Sequence, residues 1–226
     1  MASYSETYTY EGEHGCRHVV KRSGLTEPFI SHKIYARIRD ACLGLKHINI
    51  VKFTDDIIPA IRDGIHTNEI DTYIAATANN KSFQNTEFDT LATEILVLNC
   101  HRNIKDPFSV IMDRMCGKGI VDPKMNEYVQ ENADFLERAL RHDKDKEFSF
   151  FGLRSLFDKY LLKDRNGIMV ERPQHMLMRE AIAVNQYSED PEKRRNAVLK
   201  TYEMLSERRY THAHTIQRLH HHPSAL

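Results

Sequence analysis

Apolar residues recur at helical spacing along most of the chain, after an amino-terminal stretch without any regular pattern. Residues 1–16 are rich in Ser, Thr, Tyr and Glu and show neither helical nor alternating periodicity, so we expect a loosely held tail. In residues 18–29, two short apolar runs flank Ser23-Gly24. This arrangement predicts a β-hairpin, because glycine between two such runs is typical of a tight turn.

Four helical segments are predicted behind the hairpin. The first carries Ile34 and Ile38 and is expected to end at Gly44, and the fourth carries Leu91 and Ile95. Pro59 falls inside the second segment, which runs to Ile65, and is expected to kink or shorten it. The predicted amino-terminal caps of the first three segments are Ser31, Thr54 and Thr67.

A second set of helical patterns begins after Pro107. Residues 164–167 predict a turn between helices, and the last two segments are predicted at residues 173–184 and 191–207. The final stretch, HTIQRLHHHPSAL, has no amphipathic face and differs in character from what precedes it. We therefore predict a mainly α (α+β) protein. Its parts are a flexible tail (1–16), a hairpin-plus-helix domain (17–106), a helical domain (107–213) and an unrelated tail (214–226).

Composition and charge exclude several classes of protein. The 32 basic and 32 acidic residues balance, and the pI of about 7.2 lacks the electrostatic footprint of a nucleic-acid-binding protein. No apolar run is long enough for a membrane span, and no signal peptide is recognisable, so we expect a cytoplasmic protein without membrane or nucleic-acid partners. The four cysteines form no CxxC pair, which is consistent with a reducing compartment.

Few residues suggest chemistry by themselves. Lys21 and Arg22 precede the glycine turn and could bind a polyphosphate, although two adjacent cations are more often only solvated surface. No Walker A or GxGxxG motif is present. A histidine cluster near the carboxyl end, at positions 212, 214 and 220–222, lacks cysteine or carboxylate at ligand spacing, so we predict no metal.

Several motifs nevertheless resemble a known family. The run Glu171-Arg172-Pro173-Gln174-His175-Met176-Leu177-Met178-Arg179 closely resembles the amino-terminal part of the class I ribonucleotide reductase large subunit. Residues 159–162, 205–208 and 210–213 are similar to neighbouring segments of that family. Residues 20–33, 64–71 and 99–102 are similar to its ATP-cone domain. The resemblance implies an ATP cone, a β-hairpin with a four-helix bundle, followed by the helical domain that precedes the catalytic barrel.

The resemblance also implies a site for ATP as activator or dATP as inhibitor. By motif, Lys21 and Arg22 would face the phosphates, and Arg102 stands where the family usually has a lysine. Thr67 and Asp71 would complete the pocket. The base and ribose contacts would come from one continuous stretch: Glu27, Pro28, Phe29, Ile30, Ser31, His32 and Lys33.

The catalytic part of such enzymes is expected beyond this chain. Family members reduce ribonucleoside diphosphates with barrel cysteines, and by context none of the cysteines at 16, 42, 100 and 116 matches one. We therefore expect a regulatory portion that binds without catalysing, associated with other large subunits and with a small radical-generating subunit. Two alternatives remain at this stage. The chain could belong to a longer, active reductase, or it could be a helical interaction module that has lost nucleotide binding.

Overall fold

The computed structural model describes residues 17–188 and 190–210. The described residues are mostly helical, with a small three-stranded sheet near the amino terminus, which confirms the mainly α prediction. The chain divides into two compact units between Asn103 and Ile104. The predicted tails, 1–16 and 214–226, lie outside the described residues, as does the histidine cluster.

The predicted hairpin is present in the first unit. Strand β1 (His18–Val20) pairs antiparallel with β2 (Thr26–Pro28), with Val19 opposite Glu27. The connecting turn is closed by a hydrogen bond of 2.8 Å from the Lys21 amide to the Leu25 carbonyl. Gly24 has a φ of +84°, a conformation that glycine adopts without the steric cost paid by other residues. The turn thus places two adjacent cations, predicted as ligands, at the end of β1.

A third strand was not predicted. Strand β3 (Ile65–His66) pairs parallel with β1, with Ile65 opposite Val19, so the sheet order is β2-β1-β3. The prediction that Ile65 belongs to the second helix is wrong. That helix ends at Ile57 and is followed by a short 3₁₀ helix that contains Pro59. Since proline lacks an amide donor, the α-helix does not continue through it, and the chain goes on to form β3.

All three predicted helix caps are also corrected. Asn49, and not Thr54, caps the second helix by accepting a hydrogen bond of 2.9 Å from the Lys52 amide. Thr54 lies inside that helix. Ser31 and Thr67 are the first residues of their helices, but neither helix has a side-chain cap. The four helices of this unit are α1 (Ser31–Ala41), α2 (Ile50–Ile57), α3 (Thr67–Lys81) and α4 (Glu87–Asn103).

The core of the first unit follows the predicted helical periodicity. Ile38 in α1, Ile57 in α2, Ile74 in α3 and Leu91 in α4 are completely buried. Burying one such side chain stabilises the fold by about 1.5–3 kcal/mol relative to leaving it exposed. The apolar faces of the four helices therefore form one hydrophobic core, which leaves their polar faces for the site described below.

The second unit is helical. Two of its helices meet at Asn132, whose side-chain amide donates to the Tyr128 carbonyl at 2.9 Å. The predicted turn at 164–167 is confirmed by a hydrogen bond of 2.9 Å from the Gly167 amide to the Asp164 carbonyl. In the described part of the chain, no helix combines the length and hydrophobicity needed to cross a membrane. The α-helices of this unit are α5 (Phe108–Gly117), α6 (Pro123–Glu131), α7 (Ala133–Ala139), α8 (Phe150–Lys159), α9 (Pro173–Val184) and α10 (Pro191–Ser206).

Candidate functional site

In the first unit, three arginine side chains contact one buried carboxylate. Asp71, in the second turn of α3, has a side chain that is only 1% exposed. Its Oδ2 lies 2.9 Å from Nη2 of Arg22, at the hairpin turn, and 3.7 Å from Nη1 of Arg102, near the end of α4. Its Oδ1 accepts a hydrogen bond from Arg37 of α1. Four segments that are distant in sequence thus meet at one carboxylate.

Two asparagines of α4 fix the direction of the Arg22 side chain. Arg22 Nη2 donates to Asn99 Oδ1 at 2.5 Å, and Arg22 Nε donates to Asn103 Oδ1 at the same distance. Asn99 is itself held by donating to the Asn68 carbonyl in the first turn of α3, at 3.2 Å. Residues three and four positions apart share a helix face. Asn99, Arg102 and Asn103 therefore lie on one face of α4, next to Asp71 and Arg22.

A second group of ion pairs lies next to the first along the hairpin. Glu27 Oε1 lies 2.9 Å from Nζ of Lys21 and 2.7 Å from Nζ of Lys33 in the first turn of α1. Hydrogen bonds from Lys33 and then from Lys21 hold the pKa of the Glu27 carboxyl below its ordinary value. Lys21 and Arg22 are consecutive, so the hairpin turn joins the two groups into one site.

The site has more positive than negative charge. Five basic side chains contact two carboxylates, Glu27 and Asp71. The pKa of Arg102 is lowered, chiefly because the guanidinium is partly desolvated; Asp71 and Asp40 oppose this shift, whereas Arg37 and Arg22 add to it. Like charges held close together in this way favour an anion with several oxygens. Arginine and lysine bind such anions through strong, charge-assisted hydrogen bonds.

The other predicted site residues lie on the same elements. Thr67, the first residue of α3, is 7% exposed, and its Oγ1 has no hydrogen-bond partner among the described residues. Nδ1 of His32 also has no hydrogen-bond partner among the described residues, and the His32 ring lies 6.0 Å from that of Tyr35. Phe29 lies under the guanidinium of Arg17 at 5.1 Å. Pro28 ends β2, Ile30 is 47% exposed and Ser31 begins α1.

Comparison with known proteins identifies both units. Residues 17–103 match the ATP cone domain model, and residues 146–216 match the model of the ribonucleotide reductase all-alpha domain. The chain is 35% identical over 208 residues to the ribonucleoside-diphosphate reductase large subunit of Vaccinia virus, covering 86% of this chain and 26% of the relative. It is 34% identical over 207 residues to the large subunit of Danio rerio, covering 87% and 25%.

The chain belongs to the ribonucleotide reductase large-subunit family. It combines an ATP cone with the all-alpha domain of these proteins, and it spans about a quarter of the length of the curated relatives that it matches. The resemblance inferred from the motifs is therefore confirmed, and the cluster of cations lies in the nucleotide-regulatory domain.

The motif that carried the resemblance forms a buried polar network in the all-alpha domain. Glu171 and Arg179 are 0% and 2% exposed, and they form two hydrogen bonds, of 2.7 and 3.2 Å. The Leu162 amide also donates to Glu171 at 2.8 Å. Gln174 accepts from Tyr202 and Ser206 of α10, at 2.8 and 2.9 Å. Gln174 of the motif thus joins α9 to α10, and Glu171 joins the start of α9 to Leu162 and Arg179.

Two cysteine thiols of the described residues have raised pKa values. Burial raises the pKa of Cys42 to about 11, and desolvation also raises the pKa of Cys116. Cys100 is buried. A nucleophilic thiol needs a lowered pKa, because the thiolate is the reacting form. Cys16 lies outside the described residues.

Three residues of the cation cluster were not predicted from the sequence: Arg37, Asn99 and Asn103. Arg37 follows the predicted ligand Lys33 by four positions, and Asn99 precedes the predicted ligand Arg102 by three. These spacings place each on the same helix face as a predicted ligand. That signal could have found them, whereas the pairing of Arg37 with Asp71 depends on how α1 packs against α3.

Proposed function

We propose that the ATP cone of this chain binds ATP or dATP through its cluster of five basic side chains, Lys21, Arg22, Lys33, Arg37 and Arg102. The proposal rests on the excess of positive charge in this site, where five basic side chains contact only two carboxylates. Arg22, Arg102 and Lys21 bind the phosphates, and Arg37 adds a cation from α1. The stretch from Glu27 to Lys33 and the start of α3 at Thr67 supply contacts to the base and ribose.

The two nucleotides differ only at the 2′ position of the ribose. A site that hydrogen-bonds the 2′-hydroxyl settles differently around ATP and dATP, and such a difference biases subunit association. Coupling of this kind is typically worth about 1–3 kcal/mol. As parts of the same proposal, the whole protein is a cytoplasmic ribonucleoside-diphosphate reductase of deoxyribonucleotide synthesis. It assembles with further large subunits and with a small radical-generating subunit.

Isothermal titration calorimetry tests nucleotide binding directly. We expect heat on adding ATP or dATP to the folded chain, and its loss in the double variant Lys21→Ala/Arg22→Ala. Ligand at a hundredfold excess over Kd should stabilise the wild type by about 2.7 kcal/mol and leave the double variant unchanged. Lys52→Ala, which removes an exposed cation of α2 outside the cluster, is the matched control and should bind normally. Absence of heat with folded wild-type protein overturns the proposal and favours an interaction module without a ligand.

A further inference from the structure

A cavity outside the proposed nucleotide site lies in the second unit. It has a volume of about 630 Å³, within the range of ligand pockets. Its walls are the exposed face of α6, the segment that follows α9 and the first turn of α10. The residues that matter below are Glu127, Tyr128, Glu131, Tyr187 and Arg194.

Two buried polar atoms in the lining of this cavity lack partners. Tyr128 is only 6% exposed, and its hydroxyl has no hydrogen-bond partner among the described residues. Arg194 lies over the Tyr128 ring, with its guanidinium carbon 4.0 Å from the ring centroid, and its Nε also has no partner in the described part of the chain. Since an unpaired buried polar group costs free energy, such groups are rare in folded proteins. Arg194 Nε can only donate, so a group that pairs with it must supply an acceptor such as a carbonyl oxygen.

The pair is held in place by neighbouring contacts. Arg195 donates from Nε and Nη2 to Asn132 Oδ1, at 3.1 and 2.8 Å. The Asn132 amide in turn donates to the Tyr128 carbonyl at 2.9 Å. Asp190 caps α10 by accepting from two amides of its first turn. Burial raises the pKa of Tyr128, against the opposing effect of Arg194 and Arg195, so its hydroxyl keeps a proton to donate. The two donors are thus preorganised, which lowers the entropic cost of binding.

The opposite side of the cavity is acidic. Glu127 and Glu131 lie four residues apart on α6, and two like charges at this spacing repel each other. A third carboxylate, Asp122, caps α6 by accepting from the Lys124 and Met125 amides. Lys124 and Arg194 are the cations of the lining, so carboxylates outnumber cations by one. This balance disfavours a polyphosphate and favours a cation between the two glutamates.

We propose that this cavity binds a peptide segment of a partner protein that carries arginine or lysine. A backbone carbonyl oxygen of the segment accepts from the Tyr128 hydroxyl and Arg194 Nε. The cationic side chain lies between Glu127 and Glu131. Tyr187, which is 85% exposed at the edge of the cavity, covers the aliphatic part of that side chain.

Fluorescence of a probe peptide tests this proposal, because the chain contains no tryptophan. We expect acetyl-Trp-Gly-Arg-Gly-amide to bind the whole chain at low salt, more weakly as ionic strength rises. Tyr128→Phe removes only the unpaired oxygen, so it should weaken binding about two- to tenfold, the effect of losing one neutral hydrogen bond, without lowering the melting temperature. Glu127→Gln/Glu131→Gln should also weaken binding. Glu203→Gln, which removes a charge of α10 away from this cavity, should not.

Several outcomes would overturn the proposal. Binding of spermidine, a cation without a carbonyl oxygen, as tight as that of the peptide and unaffected by Tyr128→Phe would reduce the site to an acidic surface. Equal binding of the peptide with glutamate in place of arginine, or no binding at all to folded protein, would exclude it. Self-association that Tyr128→Phe abolishes, seen by sedimentation, would assign the cavity to a second copy of the chain.

Discussion

Asp71 shows how one residue can hold a cationic site together. Three arginines contact a carboxylate that is 1% exposed, so removing its charge leaves cations facing one another. We expect Asp71→Asn to lower the free energy of unfolding by about 1–3 kcal/mol, less than for a fully buried pair, because the arginines are partly exposed. Urea denaturation at low salt measures this loss, and added pyrophosphate should restore part of it. Asp56→Asn, which breaks the more exposed pair with Lys81, should cost less than about 1 kcal/mol; an equal loss would contradict the prediction.

Glu27 gives the site a dependence on acidic pH. Its pKa is lowered from 4.5 by Lys33 and Lys21, so its contribution to stability is fully present above pH 4.5 and is lost as pH falls through the lower folded value. Carboxyl NMR titration should therefore place its midpoint below 4.5. Lys33→Met should move the midpoint towards 4.5 by more than Lys21→Met does, since Lys33 makes the larger contribution. A wild-type midpoint at or above 4.5 would refute this expectation.

The site could be predicted from the sequence only where residue type and motif coincide. The resemblance predicts Lys21, Arg22 and Asp71 as ligands, and the structure brings Arg22 and Asp71 into contact. Arg37 carries no motif of its own. Its pairing with Asp71 joins residues 34 positions apart, and helical spacing alone cannot state which helix packs against which.

At the level of elements, Asn49 and Ser31 can be compared directly, because the structure shows a capping bond for only one of them. Asn49 accepts from the Lys52 amide, whereas Ser31 makes no capping bond. Asn49→Ala should therefore lower the free energy of unfolding by about 1 kcal/mol, the typical value of a lost cap, and Ser31→Ala should be nearly neutral. Thermal unfolding of the two variants beside the wild type makes the comparison. A larger loss in Ser31→Ala would restore the cap predicted from the sequence.

Element boundaries were harder to predict than the elements themselves. The hairpin and the four helices of the cone follow from apolar periodicity and the glycine turn. Thr54 is a good capping residue by type, yet it is completely buried inside α2, and its hydroxyl donates to the Ile50 carbonyl at 2.8 Å. Ile65 fits the apolar spacing of a helix, but it pairs with Val19, 46 positions earlier. Local patterns do not contain such a distant pairing.

At the level of the whole molecule, a buried ion pair controls the stability of one of the two domains. Arg179→Met leaves the buried charge of Glu171 unpaired and should destabilise the all-alpha domain by about 3–5 kcal/mol. Adding Glu171→Gln removes that charge while keeping an acceptor for the Leu162 amide, so the double variant should be more stable than the single one. Chemical denaturation measures both variants. A double variant that is less stable than Arg179→Met alone would contradict this prediction.

The order of strands in the small sheet also has a consequence for synthesis on the ribosome. β1 is the central strand but the first to be made, and its parallel neighbour β3 is completed about 45 residues later. At typical elongation speeds of about 5–20 residues per second, one edge of β1 stays open for roughly 2–9 seconds in each nascent chain. Because an isolated two-stranded hairpin is only marginally stable in water, we expect the sheet to form only once β3 has been made.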